Sequence, residues 1–186
     1  YEVIVLDNFT YNQSPFPDCY NKRLTPIRGD ARNEKLVRTI FEKYRQIEYV
    51  IPLAAIVGAK ACDNDPIAAQ TTNVDAIKLI LGQSAKIVFP NTNSGYGIGQ
   101  DGIYCTEESP LNPISLYGQT KIEAEKMVIA NGNSIVLRLA TVFGISSRPR
   151  FDLLVNEMVM FAVKNRSVTL YQAHFKRNYI HVRDVV

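Results

Sequence analysis

Short apolar runs rich in β-branched residues alternate along this chain with segments of helical periodicity, and this alternation restricts the fold more than any other feature. The clearest runs, each typical of a strand buried on both faces, lie at residues 3–6, 49–53, 87–90 and 135–139. Segments with apolar residues at spacings of three and four, typical of helices packed on a sheet, lie at residues 33–44, 66–81 and 114–130. A shorter strand is predicted at Ile27 and Arg28. Because strands that alternate with helices join through right-handed crossovers, the sequence predicts an α/β fold with a doubly wound parallel sheet.

Composition excludes several classes of protein. With 186 residues, 46% hydrophobic and 21% charged, the chain has enough apolar mass for one sizeable core. The formal net charge is +3, and the basic residues are scattered, so we predict no nucleic-acid partner and no membrane segment, while a small anionic substrate is compatible. Cys19, Cys62 and Cys105 are odd in number and far apart, which favours reduced thiols in a cytoplasmic protein over disulfides or a metal site.

The two ends of the sequence resemble interior segments of a fold. The chain starts inside a strand pattern without an initiator methionine, and it stops where a helix pattern is about to begin. We therefore expect it to be part of a longer chain that continues on both sides.

Ligands of doubly wound sheets bind beyond the carboxyl ends of the strands, so the residues after each apolar run are the candidates for a site. Asp7 follows the first run, where a dinucleotide-binding fold places the acid that accepts hydrogen bonds from the adenosine ribose; a simple turn or cap aspartate is the alternative. No arginine follows Asp7 immediately, which favours NAD over NADP. The glycine-rich phosphate loop is expected about 20 residues before such an acid, upstream of this sequence.

Two further segments after strands are candidates for cofactor contacts. Asp30, which precedes Ala31, accepts from an adenine amino group, caps the following helix or does both. The small residues of the segment 53–55 suit either close approach by a planar cofactor or plain helix packing.

Tyr117 and Lys121 stand four residues apart on a predicted helix and therefore share one face. A phenol has a pKa of about 10, and nearby cations stabilise its phenolate; lowering this pKa by about three units takes roughly 4 kcal/mol. Such a tyrosinate can remove a proton from an alcohol. Two unrelated neighbours on a helix surface are the alternative. Thr92, in a loop of hydroxyls and glycines after another strand, either orients a substrate oxygen toward Tyr117 or belongs to an ordinary polar loop.

Eight short motifs together resemble the extended short-chain dehydrogenase/reductase family, specifically its NAD-dependent epimerase/dehydratase group acting on nucleotide sugars. In chain order, these motifs occupy residues 5–8, 29–32, 53–55, 73–74, 91–97, 115–121, 138–144 and 177–184. The resemblance covers essentially the whole chain and implies a Rossmann-like fold, truncated in its first strand-loop-helix unit and in its C-terminal substrate lobe. It also implies an NAD-binding domain at residues 1–144 and the start of a substrate-binding region at 145–186.

The resemblance implies a role for each matching residue. The catalytic residues would be Thr92, Tyr117 and Lys121. The cofactor would be NAD, in contact with Asp7, Asn8, Asp30, Ala31, Leu53, Ala54, Ala55, Asn73, Tyr117, Lys121 and Val142. The nucleotide-sugar substrate would contact Thr92, Asn93, Thr141 and Arg177, and Arg177 has the guanidinium fork that binds phosphate oxygens.

Departures from the family pattern narrow the expected reaction. Dehydrating members carry an Asp-Glu pair after the catalytic threonine, where this chain has Asn93 and Ser94, so a 4,6-dehydratase is disfavoured. Thr141 replaces an asparagine found in many 4-epimerases. We expect a nucleotide-sugar epimerase that acts through a transient ketosugar, with a dehydrogenase or ketosugar reductase as one alternative and a non-catalytic NAD-binding scaffold as another. The resemblance also implies a homodimer that packs through helices 66–81 and 114–130.

Overall fold

The computed structural model describes residues 1–12, 16, 19–99, 103–171 and 173–186. These residues form two compact units. The first comprises residues 1–8 and 23–138, and the second comprises residues 9–22 and 139–186. The C-terminal part of the second unit starts at residue 139, before the predicted boundary at residue 144, and the unit also includes residues 9–22. The assignment of an NAD-binding domain and a substrate-binding region remains a prediction.

The first sheet of the first unit joins two parallel strands, β1 (Val3–Asp7) and β2 (Leu24–Arg28), with Asp7 opposite Arg28. The second strand extends the short one predicted at Ile27 and Arg28. Helix α1 (Glu34–Lys43) follows and confirms the predicted helix. It starts at Asn33, whose side chain accepts a hydrogen bond from the Leu36 N–H.

The second sheet has the order β3 (Tyr49–Val50), β4 (Lys86–Thr92) and β5 (Ser134–Leu139), and β3 runs parallel to β4. The prediction of a strand through residue 53 was wrong. Pro52 explains the early end, because proline has no N–H to donate to a strand ladder. Burial on both faces is wrong for β5, where Ile135 and Leu137 are exposed. The core of the unit is built from Ile77, Ile87, Phe89, Ala124 and Val128.

The predicted helix 66–81 is divided into shorter pieces. They are α3 (Pro66–Gln70), a π-helical turn (Thr71–Asp75) and α4 (Ala76–Lys78). Asp65 caps α3 through a hydrogen bond from the Ala68 N–H. Helix α2 (Ala59–Asn64) was not predicted, because the polar residues before Pro66 are typical of a loop.

Helix α5 (Leu116–Ala130) confirms the last predicted helix of the first unit. It packs on β4, on α2 and on the π-helical turn. Its neighbours also include a 3₁₀ turn, Asn93–Tyr96, which continues directly from β4.

The second unit contains a parallel pair of strands, β6 (Thr141–Phe143) and β7 (Tyr179–His181). Helix α6 (Leu154–Asn165) lies between them in sequence, and helix α7 (Val182–Val185) follows β7. The sequence predicted one doubly wound parallel sheet. In the described part of the chain the strands form three sheets, and each sheet contains a pair of parallel strands. None of the helices in that part is long and apolar enough to cross a membrane.

Candidate functional site

The first turns of α5 position Tyr117 and Lys121. Ser115 starts this helix by accepting a hydrogen bond from the Gly118 N–H at 3.1 Å. Tyr117 lies half-buried in the first turn, and Lys121 follows one turn later with only 5% of its surface exposed. The helix that the Tyr117/Lys121 spacing predicted is therefore present, and the lysine belongs to its buried face.

Lys121 reaches from α5 to the last residues of β4. Its Nζ donates a hydrogen bond to the Pro90 carbonyl at 2.9 Å and lies 4.1 Å from the centre of the Phe89 ring. Burial lowers the pKa of Lys121 from 10.5 to about 8, and the Glu125 carboxylate partly opposes this shift. A lysine with this pKa is still mostly cationic at neutral pH and loses its charge as the pH rises through about 8.

Thr92 ends β4 and starts the 3₁₀ turn. Its Oγ1 accepts a hydrogen bond from the Ser94 N–H at 3.1 Å and also lies 3.1 Å from Ser94 Oγ, to which it donates. The half-buried hydroxyl of Thr92 is therefore oriented by Ser94 and by its position at the end of a strand.

Two glycines let the Thr92 turn and the start of α5 pack closely. A Cβ on Gly95 would lie 2.9 Å from Ile122 Cγ1, and a Cβ on Gly118 would lie 3.1 Å from the Ser94 carbonyl oxygen. Both distances are shorter than ordinary carbon contacts. The turn after Thr92 therefore lies directly against the helix that carries Tyr117 and Lys121.

A buried ion pair that sequence reasoning missed lies next to these residues. Glu125, one turn after Lys121, is 1% exposed, and its Oε1 accepts from Arg138 Nη2 at 2.5 Å and from Arg138 Nε at 3.1 Å. These bonds raise the pKa of Arg138 above its usual value. Asn91, which precedes Thr92, donates from Nδ2 to the other oxygen of the carboxylate.

The same arginine reaches the far end of the Thr92 turn. Arg138 Nη1 donates to Tyr96 Oη at 3.1 Å and to the Glu107 carbonyl at 3.0 Å. A charged residue inside the apolar run 135–139 was the signal for this network, because a charge in a strand core requires a partner.

The carboxyl edge of the first sheet carries the predicted ribose acid. Asp7 and Asn8 are exposed there, and the Gly29 N–H donates to the Asp7 carbonyl at 2.9 Å. Since β1 and β2 are parallel, this bond brings the end of β1 beside the segment that contains Asp30 and Ala31.

Asp30 forms a bidentate ion pair with Arg32, whose Nη2 lies 2.6 Å from Oδ2. The hydrogen bonds from Arg32 lower the pKa of the Asp30 carboxyl. The alternative in which Asp30 caps the following helix is wrong, because Asn33 caps α1. Arg32 also donates to Thr71 Oγ1 at 3.3 Å and so links this edge to the π-helical turn.

Leu53, Ala54 and Ala55 follow β3 in an irregular segment. Leu53 and Ala54 are exposed and Ala55 is half-buried, so helix packing does not explain the first two residues. Asn73 binds the backbone of Ile56, the residue that follows this segment. Its Oδ1 accepts from the Ile56 N–H at 2.8 Å, and its Nδ2 donates to the Ile56 carbonyl at 3.0 Å.

Asn73, which the resemblance implies as a cofactor contact, lies inside the π-helical turn. It is 2% exposed, and its Nδ2 also donates to Thr120 Oγ1 on α5 at 3.1 Å. Asn73 therefore ties the 53–55 segment to the Tyr117 helix, and its direct contact with a cofactor stays a prediction.

In the second unit, Thr141 and Val142 are half-buried in β6, and the exposed Arg177 precedes β7. The Thr141 N–H donates to the Asn178 carbonyl at 3.3 Å, so Thr141 lies beside the segment that contains Arg177 and leads into β7. In the same unit His181 accepts from the Arg183 N–H through Nδ1 and packs on Phe143.

The donor set at the first unit's edge fits a dinucleotide. Asp7 is exposed at the end of β1 and has a carboxylate, a group that accepts hydrogen bonds from hydroxyls, and the small, exposed Ala54 after β3 allows close approach of a flat ring. Across the described ranges, no group of three or more His, Cys, Asp or Glu side chains is placed to hold a metal ion.

Comparison with known proteins identifies the family. A family model described as "NAD dependent epimerase/dehydratase family" matches residues 1–186. The chain belongs to this family. The prediction of NAD as the family's cofactor, made from the motifs, is thereby confirmed.

Two relatives illustrate the range of proteins that this family member matches. It is 24% identical over its whole length to a putative UDP-glucose 4-epimerase from Methanocaldococcus jannaschii and covers 63% of that protein. It is 30% identical to methionine adenosyltransferase 2 subunit beta from Bos taurus over 75% of this chain and 42% of the relative. The chain therefore spans roughly half of the length of these relatives.

Solved structures confirm the Rossmann-like α/β fold. UDP-glucose 4-epimerase from Thermotoga maritima, solved with UDP-glucose, matches with a TM-score of 0.85 and 25% identity, over all of this chain and 63% of that one. dTDP-glucose 4,6-dehydratase from Bacillus anthracis, solved with NAD, matches with a TM-score of 0.81 and 23% identity, over all of this chain and 60% of that one. Epimerases and dehydratases thus share this fold, and the residues of the site must distinguish them.

Proposed function

We propose that the protein containing this chain is an NAD-dependent nucleotide-sugar epimerase whose catalytic residues are Thr92, Tyr117 and Lys121. One observation carries the proposal: the Thr92 turn is packed against the start of α5, where Lys121 is buried with a pKa of about 8. A cation buried in this way stabilises an anion beside it more strongly than an exposed lysine does, because less water screens the interaction.

The three side chains then have distinct roles. Tyr117, as phenolate, removes the proton from a sugar hydroxyl, and the Lys121 ammonium stabilises that phenolate. The Thr92 hydroxyl, which accepts from the Ser94 N–H, turns its own proton from Ser94 Oγ to the reacting oxygen of the sugar. Bound NAD supplies the hydride acceptor for the oxidation of the sugar and the hydride donor for its return.

The residues after Thr92 support epimerisation over dehydration. Elimination of water needs an acid and a base beside the reacting carbon atoms. Asn93 and Ser94 occupy these positions, and neither side chain titrates near neutral pH.

Several of the proposed cofactor contacts follow strands, where ligands of such sheets bind. Asp7 would bind the adenosine ribose and Lys121 the nicotinamide ribose. The other proposed cofactor residues are Asn8, Asp30, Ala31, Leu53, Ala54, Ala55, Asn73, Tyr117 and Val142. On the substrate side, Asn93 and Thr141 would contact the sugar, and the exposed Arg177 would bind the nucleotide diphosphate.

Replacing Tyr117 with Phe in the full-length protein tests the catalytic proposal. We expect turnover of a nucleotide sugar, followed by NMR in a panel of UDP- and dTDP-sugars, to fall at least 100-fold while NAD binding is largely kept. Tyr44→Phe removes the same oxygen at the end of α1 and is the control. Unchanged turnover in Tyr117→Phe would contradict the proposal.

The net reaction is tested by following the hydrogen atom that is transferred as hydride from the reacting carbon of the sugar. An epimerase returns the same hydride, so products formed in D₂O carry no deuterium at the inverted carbon and NADH does not accumulate. Stoichiometric NADH would instead identify a dehydrogenase, and consumption of added NADH a ketosugar reductase.

A non-catalytic NAD-binding scaffold is the second candidate. It is favoured by the match to a protein named as a subunit of methionine adenosyltransferase, a name that describes no sugar epimerase. NAD binding in calorimetry without turnover of any nucleotide sugar, in the wild-type protein as in Tyr117→Phe, would support this candidate.

A homodimer through the helical segments 66–81 and 114–130 is also proposed. Ile67, Ile114 and Ile129 in these segments are exposed in the single chain, which supports an apolar contact there. Light scattering of the full-length protein tests it, and a monomer would contradict it.

A further inference from the structure

We propose that Glu125 and Arg138 form a positioning pair, which holds the Thr92 turn against the Tyr117/Lys121 helix and sets a carboxylate one turn after Lys121. This inference rests on the proposed function, because it assigns the pair a task in the same reaction. Neither residue is assigned a role by the family motifs described above.

The pair first joins α5 to the end of β4. Glu125 lies one turn after Lys121, and both side chains bond to consecutive residues of the strand. Lys121 donates to the Pro90 carbonyl, and Glu125 accepts from Asn91. The two residues that precede Thr92 are therefore attached to the helix that carries Tyr117.

The pair also holds the other end of the Thr92 turn. Arg138 donates to Tyr96 Oη at 3.1 Å, and its guanidinium lies 5.2 Å from the centre of the Tyr96 ring. Tyr96 is the last residue of the 3₁₀ turn that Thr92 begins. Since Glu125 and Arg138 are joined by a bidentate ion pair, both ends of the turn depend on the same two side chains.

Stability alone does not account for such a pair. Removing two charges from water is costly, and apolar residues of similar size often stabilise a fold as well as a buried ion pair or better. What an ion pair adds is a fixed geometry, because the guanidinium fork and the carboxylate have defined directions. A fixed geometry is what the Thr92 hydroxyl requires if it is to orient a reacting oxygen.

The charge of Glu125 acts on Lys121 as well. Burial favours neutral Lys121, and the Glu125 carboxylate is the group that opposes this by favouring the cation. Other titratable or charged groups occur on α5 and on the elements packed against it. They are Tyr117, Glu123 and Lys126 of α5, Lys60, Cys62 and Asp63 of α2, Asp75 of the π-helical turn, Lys78 of α4, Lys86 of β4, Tyr96 of the 3₁₀ turn and Arg138 of β5. Burial raises the pKa of the Cys62 thiol and keeps it neutral, and Arg138 is paired with Glu125.

Glu125→Gln in the full-length protein tests the pair, because glutamine keeps the shape of the side chain and removes the charge. Glu123→Gln is the matched control, since it removes a carboxylate from the exposed face of the same helix. The first readout is the titration of Lys121 by NMR of ¹³C-labelled lysine side chains, with Lys121→Met identifying the resonance. The second readout is hydrogen exchange of the amides of Ser94 and Tyr96.

In Glu125→Gln we expect the Lys121 midpoint to move to lower pH, because the carboxylate that favours the cation is removed. We also expect faster exchange at both amides, and an alkaline limit of kcat that moves to lower pH with the Lys121 midpoint. Glu123→Gln should change none of these. An unchanged Lys121 titration or unchanged exchange of the two amides in Glu125→Gln would overturn the proposal.

A double variant and readouts that do not need turnover keep the result interpretable. If Glu125→Gln does not fold, the double variant Glu125→Gln/Arg138→Gln carries the same test, because it leaves no unpaired buried charge. The NMR and exchange readouts do not depend on turnover. A shifted Lys121 midpoint together with normal turnover in Tyr117→Phe would therefore overturn the proposed function while supporting the coupling of Glu125 to Lys121.

Discussion

Helices α5 and α6 are both rich in apolar residues, yet they differ completely in burial. Seven residues of α5 are buried, and three of them are polar or charged: Thr120, Lys121 and Glu125. No residue of α6 is buried, and Val159 and Val163 are 59% and 78% exposed. Apolar content therefore did not decide which helix is buried; the elements packed around it did.

The difference in burial between α5 and α6 also shows where polar side chains are fixed in the interior. A lysine and a glutamate in a helix core cost free energy unless each has partners. In α5 those partners are the Pro90 carbonyl, Asn91 and Arg138, all on the strands beside it. The polar interior of α5 thus identifies the candidate site, and nothing comparable is buried in α6. Four experiments probe this contrast.

The largest effect is expected from Arg138→Met. This change leaves Glu125 buried without its ion-pair partner, which typically costs about 3–5 kcal/mol of the free energy of unfolding. Val163→Ala in α6, at an exposed side chain, should change it by less than about 0.5 kcal/mol. Urea denaturation measures both values, and equal losses would contradict the contrast between the two helices.

The next effect concerns the pH dependence of stability. Because the pKa of Lys121 is about 8 in the folded chain and 10.5 ordinarily, the unfolded chain binds more protons between these values. The free energy of unfolding should therefore rise with pH from about 8 to 10.5, by about 3 kcal/mol for this group. Lys121→Met should lack this rise, as measured by urea denaturation at several pH values. The same slope in both proteins would show that Lys121 is not desolvated.

A smaller effect is expected from Gly95→Ala. The added methyl group would overlap Ile122 of α5, and overpacking of this kind costs about 1–3 kcal/mol. Gly99→Ala is the control, because a Cβ there meets no atom within 4 Å. We expect the Gly95 variant to lose both stability and turnover, measured by thermal unfolding and by NMR of products. Full activity in this variant would mean that the Thr92 turn tolerates displacement from α5.

The smallest effect is expected from the helix caps. Ser115 caps α5, whereas α6 starts at Leu153 without a side-chain cap. Ser115→Ala should cost about 1 kcal/mol. Ser147→Ala, at an exposed residue of the second unit, should cost nothing measurable. Chemical denaturation distinguishes the two, and a neutral Ser115→Ala would show that packing alone determines where α5 begins.

Local sequence signals predicted some elements well. Asn33 and Ser115 have the side chains that start helices, and the helices at 33–44 and 114–130 begin beside them. The strand predicted at 49–53 is shorter than the apolar run, because Pro52 has no N–H to donate to a strand ladder. The helix predicted at 66–81 is interrupted by a π-helical turn, in which Asn73 bonds to Ile56, and local periodicity does not reveal such a long-range contact.

The sequence predicts individual residues of the candidate site but not the contacts between them. Spacing on one helix was enough to pair Tyr117 with Lys121, and the motif order placed Thr92 before them. In the sequence, Arg138 is a charged residue within a strand pattern and Glu125 is a charged residue within a helix pattern, and nothing links the two. Their pairing required the fold, because they belong to different elements and meet only when β5 packs beside α5.

The sequence by itself determined the α/β class and the family, since both depend on local patterns and on motif order. Only the tertiary structure decided that Lys121 is buried, that its pKa is about 8 and that Glu125 pairs with Arg138. The physical reason is that burial, and the pKa values that follow from it, depend on which elements surround a side chain.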